Sequence, residues 1–190
     1  MKKLVLFFVV LCVSIAAMAQ EHMKFKGVEI DGTLTEMVTK LKTKGFVLLG
    51  AEDGVALMEG DFAGYRDCQI VVLSMKETGK VNAIGVAFTE REEWSSLEGD
   101  YDRLKSMLTE KYGEPSRVIE RFNKDYVPDN WWRFNYIISD EATWMSEFEV
   151  SNGTIELYMN KVDYNKAAVI LKYYDKANTD VVRASAMDDL

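Results

Sequence analysis

The fold is decided by two stretches, QIVVLSMKETGKVNAIGVAFTE at residues 69–90 and TIELYMNKVDYNKAAVILKYYD at residues 154–175, which align without a gap at an offset of 85. Only Ile70/Ile155, Lys76/Lys161 and Ala83/Ala168 are identical, but the apolar positions agree: Val72 with Leu157, Ile84 with Val169, Val86 with Leu171 and Phe88 with Tyr173. Side chains alternate on either side of a central turn, the period of a strand whose faces see different surroundings. Each stretch therefore reads as a β-hairpin. In the second, Ile155, Leu157 and Met159 share one parity, as do Val169, Leu171 and Tyr173 on the next strand. This richer apolar set belongs in the core, because a one-residue slip would expose all of it. The opposite parity presents Glu156, Tyr158, Ile170, Lys172 and Tyr174, matched upstream by Val71, Leu73 and Met75 beside Ala83, Gly85 and Ala87. A solvated face alternates to polar residues, and this one does so only in part.

A helix precedes each hairpin region. Thr33 and Glu36 form the S/T-x-x-E capping box, Leu34, Met37, Val38 and Leu41 follow at helical period, and Gly45 supplies the exit. Ser95 with Glu98 is expected to open the second helix, with Leu97, Tyr101, Leu104, Leu108 and Tyr112 along its stripe, Gly113 at its end and Pro115 beyond. Strands are expected over 24–30, 46–50, 55–59, 69–75, 81–89, 117–122, 131–138, 143–150, 154–160 and 166–174. Glu52-Asp53-Gly54, Glu77-Thr78-Gly79 and Ser151-Asn152-Gly153 mark turns, and the Asn-Gly step is a strong hairpin signal. Asn152-Gly-Thr154 is also a glycosylation sequon, which the hairpin suffices to explain.

These elements describe an α+β fold with an extended antiparallel sheet. It would be built from two α-β-β-β-β repeats, pseudo-repeats about 33–90 and 95–175, with both helices on one face. Phe46 with Met58 finds a counterpart in Phe134 with Met145, and the second copy carries an insertion over about 114–130. The arrangement resembles the tandem-repeat architecture of the β-lactamase-inhibitory proteins. The segments FKGVEIDGTL at 25–34 and KYGEP at 111–115 are similar to a group of secreted Bacteroidetes proteins of unknown function. That resemblance carries no activity to transfer.

The first residues read as an export signal. Lys2 and Lys3 precede an apolar run over 4–15, and Ala17-Met18-Ala19 supplies small residues for cleavage. The run is shorter than the roughly 20 residues a spanning helix needs. Cys12 lies inside it behind Leu11, which disfavours lipid attachment. The expected organisation is a signal peptide at 1–19 and one α+β domain at 20–190, periplasmic or secreted and without a stable membrane anchor. Loss of Cys12 leaves Cys68 alone, so no internal disulfide forms and stability rests on burial.

Composition narrows the chemistry. A net charge of −8 disfavours nucleic acid as a partner. His22 is the one histidine and sits at a loosely held terminus, a poor place for a nucleophile's base. Zinc would need ligands the chain lacks, and Asp100-Tyr-Asp102 has only the start of a calcium loop. Asp100 and Asp102 read instead as a solvated helix face. No glycine-rich loop precedes a helix, so the sequence carries no cofactor fingerprint. Aromatic residues are the unusual component: Tyr126, Trp131, Trp132, Phe134 and Tyr136 crowd together. On a strand, Trp132, Phe134, Tyr136 and Ile138 would share one face and Trp131 the other. Trp and Tyr combine contact area with a polar handle, as a platform for a sugar ring or a partner loop does.

The candidate ligand- or partner-binding residues are thus Tyr126, Trp131, Tyr158, Ile170, Tyr174, Leu73 and Met75. The expectation is an exported, non-catalytic binding or protein-interaction module with a protein or glycan partner. The alternative is a carboxylate-based glycan hydrolase of the cell envelope. A concave site with facing acids beside Trp131 would favour the hydrolase, and a flat apolar sheet face would favour the module. A C-terminal segment folded over that face through Val181, Val182 and Met187 would make it ordinary core.

Overall fold

The computed structural model describes residues 21–123 and 128–188. The first half contains β1 (Lys24–Phe25), β2 (Val28–Glu29), α1 (Leu34–Lys42), β3 (Val47–Glu52), β4 (Val55–Phe62), β5 (Tyr65–Ser74) and β6 (Val81–Ala87). The second contains α2 (Trp94–Tyr112), β7 (Arg117–Phe122), α3 (Asn130–Ile138), β8 (Ala142–Val150), β9 (Gly153–Asp163), β10 (Lys166–Asp175) and α4 (Lys176–Asp188). The expected signal at 1–19 and Tyr126 lie outside the described residues.

β3 to β10 form one eight-stranded sheet in the order β3-β4-β5-β6-β10-β9-β8-β7, antiparallel throughout. The fold is α+β; α1 is followed by four strands of the sheet, and α2 by four more with α3 between the first and second of them. The halves join where β6 pairs with β10, and the aligned residues Val86 and Leu171 are themselves cross-strand partners there. The gapless alignment of the hairpins is off by two residues. Val72 pairs with Ile84, whereas Leu157 pairs with Leu171 and Val169 with Met159. A shift of two preserves parity, so every side chain keeps its face.

Both helices lie on one face because each has one apolar stripe to bury. Met37, Val38 and Leu41 of α1 and Leu97, Tyr101, Leu104 and Leu108 of α2 are buried in one cluster with Ile70, Val72, Ile84, Val86, Ile155, Leu157, Met159, Val169, Leu171 and Tyr173. The parity assignment is therefore correct. Tyr101 and Ser146, both fully buried, satisfy one another through a 2.7 Å hydroxyl pair. Burial pushes the Tyr101 phenol well above its ordinary range. Cys68 is core as well, and burial raises its thiol.

Capping differs between the helices. Thr33 and Glu36 close the full box at α1. At α2 the cap is Glu93 rather than Ser95, and it makes no side-chain cap bond; its carboxylate accepts from Ser96 Oγ at 2.6 Å instead.

Several expected elements differ. Residues 131–138 are not a strand but the helix α3, whose buried residues Phe134 and Ile137 stand three apart. The aromatic residues favour strands, but packing of that pair under α2 decides the backbone. The shared face expected for Trp132, Phe134, Tyr136 and Ile138 does not exist, and Trp132 is exposed. β7 occupies the place opposite β3, so the insertion in the second half falls between β7 and β8 rather than at 114–130, and Phe134 is no counterpart of Phe46. The strand expected at 24–30 is a two-residue hairpin. A further hairpin joins β4 to β5 through Ala63-Gly64, both left-handed like Asp53-Gly54 between β3 and β4. The expected Ser151-Asn152-Gly153 hairpin does join β8 to β9, but its two loop residues are Ser151 and Asn152, Gly153 is the first residue of β9, and neither Asn152 nor Gly153 has a positive φ. Gly153 serves by lacking a Cβ, which would collide with the Tyr174 carbonyl oxygen.

His22 and Met23 are held in place, contrary to the expectation of a loose segment around His22. Asp175, fully buried, accepts from the Met23 N–H at 2.7 Å, from His22 Nδ1 at 3.0 Å and from the Asn178 N–H at 2.9 Å, which caps α4. Asn178 Nδ2 donates to the carbonyls of Ile30 and Val81, and Asn152 Nδ2 donates to that of His22. Asp31 stands beside His22 and Lys80. Its partial burial would raise its carboxyl, but the Gly32 N–H, Asn178, Lys80 and His22 hold it down at about 2. Local sequence reading misses this knot because its members come from both ends of the chain.

Candidate functional site

Turning the apolar parity of eight strands toward α1 and α2 leaves the opposite face of the sheet uncovered by them. Cross-strand pairing sets its residues in rows. Tyr158, Ile170, Ala87 and Gln69 form one row, and Glu156, Lys172, Gly85, Val71 and Leu57 the next. Thr154, Tyr174, Ala83, Leu73 and Val55 form a third. Along β6 these rows carry nothing larger than a methyl group. The surface therefore dips between Val71 and Leu73 on one side and Ile170, Lys172 and Tyr174 on the other.

Tyr158, Ile170, Tyr174 and Leu73 are half-buried, as side chains on an open sheet are, and Val55 is 39% exposed. The Lys172 ammonium lies 5.3 Å from the Tyr158 ring centroid. A hydrogen bond to the Tyr158 hydroxyl raises the Lys172 ammonium, and burial followed by Glu156 raises the Tyr174 phenol. α4 lies at the rim, where its first turn and Tyr174 border one depression. Val181 and Met187 of α4 are exposed rather than folded onto the rows, and the side chain of Val182 is outside the description. Met75 does not extend this surface. It lies beyond the end of β5, past a register shift after Leu73, and is half-buried in the following turn.

Trp131 is separated from these residues. Phe134 and Ile137 pack α3 into the core on the helix side, so Trp131 does not rim the open face. It stands 84% exposed on a cleft of about 560 Å³ between the start of α2 and α3. Glu92, Glu93, Glu98, Trp94 and Asn165 share the lining. Trp94, Phe122 and Trp144 form a ring cluster with centroids 4.8–5.7 Å apart, and the Arg133 guanidinium lies 6.0 Å from the Trp94 ring.

Asp100 is not the solvated helix residue expected. Its carboxylate accepts from Arg91 Nε at 2.7 Å and from the Tyr65 hydroxyl at 3.0 Å, tying β5 to the start of α2. Burial and Asp100 push the Tyr65 phenol up to about 12. Among the described residues no group of three or more His, Cys, Asp or Glu is placed to hold a metal ion, and no helix is long and apolar enough to cross a membrane.

No protein-family model matches the chain, and no curated protein or solved structure is similar enough to match it.

Proposed function

We propose that the protein is an exported, non-catalytic binding module whose open sheet face holds a partner protein. The observation that carries this reading is the face itself: three contiguous rows, half-exposed and rich in apolar residues, with α1, α2 and α3 all on the other side. Monomeric proteins seldom leave such surface to water unless something docks on it. Tyr158 and Tyr174 give it rigid contact area with polar ends. Export rests on the Lys2-Lys3 start, the apolar run and the Ala17/Ala19 pair. An exported product whose mass begins at Gln20 supports it, and one retaining residues 1–19 contradicts it. We also read the two halves as copies of one ancestral unit, supported by their matched element order.

The Tyr158→Ala/Tyr174→Ala double variant tests the binding face. It is expected to keep its melting temperature within a few degrees and to lose photocrosslinks between the open face and its partner in the exporting cell. A fall of roughly ten degrees, the cost of a core truncation in a chain of this size, would overturn the reading.

One observation favours the second reading, a carboxylate-based glycan hydrolase: the cleft sets Glu92, Glu93 and Glu98 around Trp131. A paired-acid mechanism needs one carboxyl enclosed in apolar surroundings to stay protonated. Glu92 and Glu93 are exposed and Glu98 is half-buried at the cleft. Turnover of an oligosaccharide that Glu98→Gln abolishes would establish the hydrolase.

A further inference from the structure

We infer that β3 is a pairing edge at which two copies of this chain join their sheets, antiparallel about a two-fold axis through Leu48. An open sheet edge presents unpaired N–H and C=O groups, and proteins that keep an edge single guard it with charged side chains. The two edges of this sheet differ in that guard. β7 reads RVIERF, with three charges in six residues. β3 reads VLLGAE, with Glu52 alone at its end, and its one other guarding device is the bulge between Leu48 and Gly50. Among the described residues β3 pairs with β4 alone. Val47 and Leu49 stand 62% and 52% exposed on it.

The residues around Leu48 complement themselves. In an antiparallel pair centred there, each residue faces the one equally far on the other side of Leu48. Val47 faces Leu49, and Lys44, four residues before the centre, faces Glu52, four after it. Lys44 and Glu52 are both exposed. The two-fold axis makes each of these contacts twice, so apolar side chains meet at the centre and opposite charges meet at both ends. A strand from an unrelated protein would use the same main-chain groups, but it gives no reason for a lysine and a glutamate placed symmetrically about the apolar centre.

Such an axis stands perpendicular to the sheet, which keeps both open faces on one side. The pairing therefore doubles the eight-stranded sheet and sets Val47, Val55 and Leu57 of one copy beside those of the other. The charged second halves are left at the outer ends. One six-residue edge buries less than the roughly 1,200 Å² at which standard interfaces begin, so the dimer is weak, with a dissociation constant in the micromolar range or above. This assignment does not rest on the sheet-face reading, because main-chain bonds along the edge hold it and the face stays free.

The test is sedimentation equilibrium of the purified protein from micromolar to millimolar concentration at physiological ionic strength. A monomer–dimer equilibrium is expected. Leu49→Lys, which charges the edge, is expected to weaken the dimer about tenfold or more. Lys44→Glu sets like charges opposite one another and is expected to weaken it severalfold, with Lys44→Glu/Glu52→Lys restoring it. All three positions are exposed, so these variants should melt with the parent. Leu48→Cys is expected to link two copies through a disulfide on mild oxidation, since facing positions of an antiparallel pair lie within disulfide reach. Val118→Cys on β7 is expected to stay unlinked. Tyr158→Ala/Tyr174→Ala is expected to leave the dimer unchanged, so failure of the sheet-face reading would not touch this one. A protein monomeric throughout the range, a dimer indifferent to Leu49→Lys, or a charge exchange that fails to restore pairing would each overturn the inference.

Discussion

The two halves of the sheet each place four strands after a helix, the second with α3 inserted, and finish their open faces differently. In the first half Val55, Leu57, Val71 and Leu73 occupy that face; in the second Glu147 and Glu156 stand paired, with Arg117 and Lys172 on either side. The edges differ in the same sense. β3 exposes Val47 and Leu49, whereas β7 exposes Val118 among the charged Arg117, Glu120 and Arg121. The helix side reverses the contrast. The nine residues of α1 cover the first half, while the second needs the nineteen of α2 together with α3. The second half thus mixes charges with Tyr158, Ile170 and Tyr174 on its open face, where the first is aliphatic. On the reading proposed above, the interaction surface would run from the first half across the seam to Tyr158 on β9.

The largest expected effects fall on the core side. Leu104→Ala and Leu41→Ala should each cost on the order of 2–5 kcal/mol in denaturant unfolding, since both side chains are buried. Similar losses would mean that the halves unfold as one unit through the β6–β10 seam. Two separate transitions would break that picture.

The knot at the chain ends should show itself in acid. Asp31 is held below its ordinary range in the folded protein, so its contribution is present above about pH 4 and lost as the pH falls toward about 2. In urea titrations Asp31→Asn should be less stable than the parent at neutral pH, and the gap should close across that window. A gap constant with pH would contradict the assignment.

Capping sharpens the comparison at smaller scale. Thr33→Ala removes a bonded cap and should cost about 1 kcal/mol. Glu93→Ala removes a cap residue that makes no side-chain cap bond and should cost a few tenths of a kcal/mol or less. Thermal melts of the pair would separate the two.

Much of this was written locally in the chain. The α1 cap and stripe, strand 117–122 and the burial parity of the C-terminal hairpin all follow from short-range patterns, because one buried face imposes one period. What escaped has physical causes. In α3, bulky aromatics suit a strand, and only the Phe134/Ile137 spacing and the Pro128-Asp129 entry point to a helix. Ala63 is an unusual occupant of a left-handed turn position, so the β4–β5 hairpin left no turn signature. His22 looks free until Asp175 arrives from the other end of the chain. Of the candidate site, Tyr158, Ile170, Tyr174 and Leu73 come together because strand parity and pairing place them. Trp131 departs because it lies on a helix instead.

The openness of the sheet face is tested most directly by thiol accessibility. The native Cys68 is buried and is expected to stay silent in the background. Single substitutions Leu73→Cys and Ile170→Cys should react with a maleimide in the native protein far faster than Ile70→Cys, which sits on the buried parity of the same strand as Leu73. Protection of Leu73→Cys and Ile170→Cys to the level of Ile70→Cys would mean that the face is covered, and would contradict the account.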